Sequence, residues 1–91
     1  MKIELTKKQM EAIDFEKKLI VDNEEWIYVC QDGERIEDEN GSFSNHIYKR
    51  SSDNKFFRVP MVYYKRDDDD GDYSYEIDMK NNIAYEIETN Y

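Results

Sequence analysis

Ninety-one residues suffice for one small domain, near the lower limit of chains that bury an adequate core unaided. With 22 Asp and Glu against 13 Lys and Arg, the formal net charge is −9, which argues against direct binding to nucleic acid or to an anionic membrane. A single cysteine, Cys30, excludes an intramolecular disulfide and points to a reducing, cytoplasmic setting, and no stretch approaches the roughly 20 apolar residues of a membrane span. The N-terminus carries Lys2, Glu4, Lys7 and Lys8 without an apolar run, so it is not expected to be a signal peptide.

Along the chain, Thr6-Lys7-Lys8-Gln9 reads as a capping box: a hydroxyl to cap the helix and a Gln three residues on to reach back. Met10, Ile13, Lys17 and Ile20 follow at helical spacing, which predicts a helix over 6–20 ending at the turn-forming Asp22-Asn23. Trp26-Ile27-Tyr28-Val29 is aromatic and β-branched, and Asp32-Gly33 and Asn40-Gly41 are two-residue hairpin signals. Residues 46–50 read as a strand, Ser51–Asn54 as a turn, and Lys55–Lys65 as the longest β-like run. Pro60 interrupts that run and lacks a ladder donor, which predicts an edge strand or a bulge.

The tract Asp67–Asp72 reads as a solvated loop. Tyr73–Asp78 and Asn82–Glu88 then alternate, with Tyr73, Tyr75 and Ile77 on one face and Ile83, Tyr85 and Ile87 on one face. If these two pair as a hairpin across Met79-Lys80-Asn81, Ile77 lies opposite Ile83 and Tyr75 opposite Tyr85, with both faces in the core. Glu76, Asp78, Glu86 and Glu88 then share the outer face, and carboxylates two apart on a strand repeat every ~6.6–6.8 Å, close to the phosphate step of a nucleic-acid strand. The expected architecture is one α+β domain over residues 1–91, an N-terminal helix packed on an antiparallel sheet of four to six strands.

Charge is placed in blocks. Residues 67–91 carry nine carboxylates (Asp67, Asp68, Asp69, Asp70, Asp72, Glu76, Asp78, Glu86, Glu88) against Lys80, and residues 22–39 carry eight more, including Glu34, Glu37, Asp38 and Glu39, against Arg35. Residues 44–66 run the other way, with six bases against Asp53. Holding one sign of charge on a small body costs stability through self-repulsion and confers long-range steering. Thirteen aromatic residues oppose the disorder that such a composition otherwise suggests, because each ring buries about 150–250 Å².

Catalytic and metal-binding signatures are weak. With Gly71 at the sixth position of a calcium loop, the first would be Arg66 and the twelfth Ile77, so Asp68 and Asp70 do not complete that motif. Cys30 and His46 are the lone thiol and imidazole, too few for a structural zinc site and without flanking residues that suggest a catalytic pair. The basic stretch 46–66, interleaved with Tyr48, Phe56, Phe57, Tyr63 and Tyr64, could stack nucleic-acid bases, but pairing with the chain's own carboxylates explains it more simply. No catalytic residue, cofactor or metal is expected.

Small size, acid in two dense blocks and no catalytic machinery resemble the small acidic proteins that phages and mobile elements use against host defences: DNA mimics, anti-restriction and anti-CRISPR proteins. The resemblance covers the chain as a type and rests on no diagnostic motif. It implies a non-enzymatic inhibitor that occupies a Lys/Arg-lined groove of a nuclease or other nucleic-acid-binding host protein. The phosphate-mimicking residues would be Asp67–Asp70, Asp72, Glu76, Asp78, Glu86 and Glu88, with Glu34, Glu37, Asp38 and Glu39 as a second patch. Tyr64 and Tyr73 would be interface anchors. Alternatives are a regulatory adaptor acting through a sheet edge or as a homodimer, and a sensor of a nucleotide or metal ion.

Overall fold

A computed structural model describes residues 1–67 and 73–88. It is α+β, with one α-helix and an antiparallel sheet. The elements are β1 (Lys2–Glu4), α1 (Lys7–Glu16), β2 (Leu19–Val21), β3 (Glu24–Asp38), β4 (Gly41–Arg50), β5 (Lys55–Asp67), β6 (Tyr73–Ile77) and β7 (Ile83–Ile87), with a 3-10 turn at Met79–Asn81 between the last two. The sheet order is β1-β7-β5-β4-β3-β2, with β6 also paired to β5, so strands outnumber the four to six expected.

The capping box forms as read: Gln9 N–H donates to Thr6 Oγ1 at 3.2 Å, and Thr6 N–H donates to Gln9 Oε1 at 2.7 Å. The helix stops earlier than expected, at Glu16, because Lys17 turns left-handed (φ 54) and donates back to the Ile13 carbonyl. Leu19, Ile20 and Val21 become a strand instead. Asp22 and Asn23, with φ 52 and 65, make the hairpin turn that sets Leu19 opposite Trp26. Gln9 Nε2 ties the helix to this strand through the Ile20 carbonyl.

Asp32-Gly33 is not a hairpin. β3 runs on through it for 15 residues, and the left-handed Gly33 (φ 79) instead serves an irregularity in the β3–β4 register between Asp32 and Ile36. The reversal comes at Asn40-Gly41. Pro60 does not mark an edge strand either. β4 covers one side of β5, while β7 pairs with Phe56–Arg58 and β6 with Tyr63–Asp67 on the other. Pro60, without an N–H, sits in the gap between those two partners.

The predicted β6–β7 hairpin is absent. Both strands run antiparallel to β5 and lie end to end, in effect one strand with the 3-10 turn looped out. Ile77 pairs with Tyr63 and Glu86 with Phe57, so the register slips by three residues across that turn. An odd slip moves every following side chain to the other face. Ala84 is therefore buried in the core and Tyr85 is exposed, the reverse of the expected orientation.

One face of the sheet carries the core. Met10 and Ile13 of α1 join Leu5, Leu19, Trp26, Tyr48, Phe57, Val59 and Met61 in a single apolar cluster. The Trp26 and Phe57 rings lie 4.6 Å apart, and the Arg50 guanidinium sits 5.0 Å over Phe57. Trp26 Nε1 and the Tyr48 hydroxyl are buried with no hydrogen-bond partner among the described residues.

Candidate functional site

The two acidic blocks meet at one end of the sheet. Asp38 Oδ1 accepts from the backbone N–H groups of Asn40 and Gly41 at 2.8 and 3.0 Å, closing the β3–β4 turn. Lys65 N–H donates to the Asn40 carbonyl at 2.8 Å, seating that turn against β5. Gly41 is needed for the seat: a Cβ there would stand 2.0 Å from the Tyr63 carbonyl oxygen. Asp38 and Glu39, both exposed, are thereby fixed beside Tyr64, the register partner of Gly41, while the exposed Glu37 pairs with Ser42 and lies on the other face of the same end.

Across β5, Tyr64 pairs with Glu76, and its hydroxyl donates to Glu76 Oε2 at 2.7 Å. Asp78 caps the 3-10 turn, accepting from Lys80 N–H at 2.9 Å. Between this segment and α1 opens a cleft of about 930 Å³, lined by the acidic Glu11, Asp14, Glu76 and Asp78, by Lys7 and Lys80, and by Phe15, Tyr63 and Tyr64. Burial, and then the Asp14 carboxylate beside it, push the Tyr63 hydroxyl pKa upward.

Other predicted residues stand elsewhere. Glu86 faces Phe57, and Oε1 of its carboxylate lies 3.5 Å from both the N-terminal ammonium and Lys55. Tyr64 is seven steps along β5 from Phe57, so Glu86 and Glu76 stand about 23 Å apart along the strand. The expected continuous row of Glu76, Asp78, Glu86 and Glu88 is therefore not formed, because it required the absent hairpin. Glu34 is exposed within the β3 irregularity, and Glu37 lies 3.5 Å from Arg35. Asp68, Asp69, Asp70 and Asp72 lie outside the described residues, as do the side chains of Asp67 and Tyr73.

Several bases of the 44–66 block pair internally, as expected: Arg50 with Asp53, Lys55 with Glu86 and Arg58 with Asp32. Cys30 and His46 cannot meet. Cys30 pairs with Ile47 and Gln31 with His46, so the pleat sends thiol and imidazole to opposite faces. Among the described residues, no group of three or more His, Cys, Asp or Glu could hold a metal ion.

A polar pocket escaped the sequence reading. Ser42, Ser44 and His46 alternate along β4 and are buried on the face that also carries the core. His46 Nε2 lies 3.1 Å from Ser44 Oγ, and its Nδ1 lies 3.2 Å from the Tyr28 hydroxyl. Arg35 Nη2 donates to Ser42 Oγ at 3.3 Å. The signal was present in Gly41–Tyr48, where small polar residues recur with period two inside a strand.

No protein-family model, curated protein or solved structure matches the chain. No helix among the described residues is long and apolar enough to cross a membrane.

Proposed function

We propose that this protein is a non-enzymatic inhibitor that places its acidic end in the Lys/Arg-lined groove of a nucleic-acid-binding host-defence protein, such as a nuclease or an RNA-guided nuclease, in the cytoplasm. The carrying observation is the seating of the β3–β4 turn on β5, which joins two acidic segments far apart in sequence. Glu34, Glu37, Asp38 and Glu39 come from one segment, and Glu76 and Asp78 from the other. Asp67 ends β5, and Asp68–Asp70 and Asp72, which lie outside the described residues, follow it in sequence and are retained in this reading as candidate mimics. Tyr64 is the anchor in this reading, exposed and tethered to Glu76. Glu86 is a weaker mimic, because two cations already share its charge. With α1 closing the apolar face, recognition falls to the acidic end.

The test is a cleavage assay with a panel of purified restriction and RNA-guided nucleases. The reading expects inhibition of at least one, weakening as salt rises and relieved by non-cleavable competitor DNA. Inhibition indifferent to both salt and competitor would overturn it. A regulatory adaptor is the second reading. It is favoured by β3, which β2 covers only at Glu24–Trp26, leaving an edge for a partner strand or a second copy. Salt-insensitive dimerisation, or pairing lost on a proline substitution in the edge, would select it.

A further inference from the structure

The polar pocket brings cationic and hydroxyl groups together in one cavity of this acidic molecule. It has a volume of about 390 Å³, within the range of small-molecule sites, and its floor is the Ser42, Ser44 and His46 strip of β4. Lys17, Arg35 and Asp14 also line it, with the exposed Phe15 at its rim. Arg35 reaches both Ser42 and Glu37 through one amino nitrogen, Nη2, and among the described residues the rest of the guanidinium fork makes no further hydrogen bond, which leaves it for a ligand.

We propose that this pocket binds a phosphate group, with Arg35 and Lys17 supplying charge and Ser42 and Ser44 supplying hydroxyl donors. Lys17 and Arg35 supply the attraction, against the Asp14 carboxylate in the same lining and the Glu37 carboxylate beside Arg35, and a guanidinium fork is suited to two phosphate oxygens. His46 acts as the positioning residue. When the Tyr28 hydroxyl donates to Nδ1, the neutral imidazole donates from Nε2 to Ser44 Oγ and leaves the Ser44 proton to point at the ligand. Burial first, and then Lys17 and Arg35, lower the His46 pKa to about 4, against an opposing pull from Asp14, so the imidazole is neutral near pH 7. Phe15 at the rim offers a stacking surface, which suits a phosphate carried by a nucleoside. The inference stands on its own observations and does not require the inhibitor reading.

The experiment is a heteronuclear NMR titration of the full chain at constant ionic strength with inorganic phosphate, adenosine monophosphate and adenosine. Saturable shifts centred on Ser42, Ser44 and His46 with a phosphate-bearing ligand are expected. Arg35→Gln should weaken binding about tenfold and Ser42→Ala should weaken it less, while Lys8→Gln, which removes the same charge away from the pocket, should leave it unchanged. Tighter binding of the nucleotide than of phosphate, reduced to the phosphate level by Phe15→Ala, identifies a nucleotide. Equal binding of the two identifies free phosphate. The proposal is overturned by an absence of saturation with both, by adenosine binding as tightly as its monophosphate, or by Lys8→Gln matching Arg35→Gln.

Discussion

Glu76 and Glu86 both sit on strands that pair with the same side of β5, yet their surroundings are opposite. Glu86 lies in the half of the sheet built on Trp26, Tyr48, Phe57 and Ala84, opposite Phe57. There the N-terminal ammonium and Lys55 offset its charge. Glu76 lies in the other half, where a tyrosine hydroxyl holds it beside an exposed acidic turn, over a cleft with four carboxylates. On the β4 side that half has Ser42, Ser44 and His46 where the first has Tyr48. One half is built for stability, and the other gives up apolar burial to present polar and charged groups.

The seat of the β3–β4 turn is the largest single lever on the acidic half. Gly41→Ala would drive a Cβ into the Tyr63 carbonyl and should cost roughly 3 kcal/mol, read as a lowered urea midpoint. The Lys65 amide should lose its hydrogen-exchange protection at the same time. Retention of that protection would mean the turn is held by something other than this approach.

The polar half should also govern the acid side of the stability profile. His46 titrates near 6.5 unfolded but at about 4 in the fold, so the unfolded chain takes up the proton first. The stability is fully present above pH 6.5 and is lost as pH falls from 6.5 toward 4. The loss is on the order of 3 kcal/mol at about 1.4 kcal/mol per pKa unit. Urea melts across that window should show the slope, and His46→Gln should flatten it. An unchanged slope in the variant would assign it to other groups.

Two smaller effects sharpen the contrast from the apolar half. Tyr48→Phe removes a buried hydroxyl without a partner and should stabilise the protein by about 1 kcal/mol. Destabilisation instead would reveal a bound water. Glu86→Gln should cost about 0–1 kcal/mol, since its ion pairs are long and partly exposed. It should also leave inhibition nearly intact.

The sequence made the capped helix start, the Ser51–Asn54 turn, the long β5 and the two acidic blocks legible, because each depends on local chemistry. What it hid depended on partners. Leu19-Ile20-Val21 satisfies helical spacing and β propensity alike, and the left-handed Lys17 that separates helix from strand has no glycine to announce it. Asp32-Gly33 has turn chemistry, but β4 is long enough to keep β3 paired beyond it. Alternation in Tyr73–Ile77 and Ile83–Ile87 revealed strands without revealing what they pair with. A hairpin was the local choice, whereas β5 had an open side long enough for both. The polar pocket was hidden because its residues come from α1, β3, β4 and β5, and only the fold brings them together.

Two proteins of identical charge distinguish an inhibitory surface made by the acidic half from an effect of net charge. One carries Glu39→Lys and Glu76→Lys, and the other carries Glu86→Lys and Glu88→Lys. Their inhibition of nuclease cleavage is measured side by side at matched salt, after both are shown to fold. The account predicts about a hundredfold loss of potency for the first, a size consistent with steering by focused charge, and a change of only a few fold for the second. Equal losses in the two, or a larger loss in the second, would contradict it.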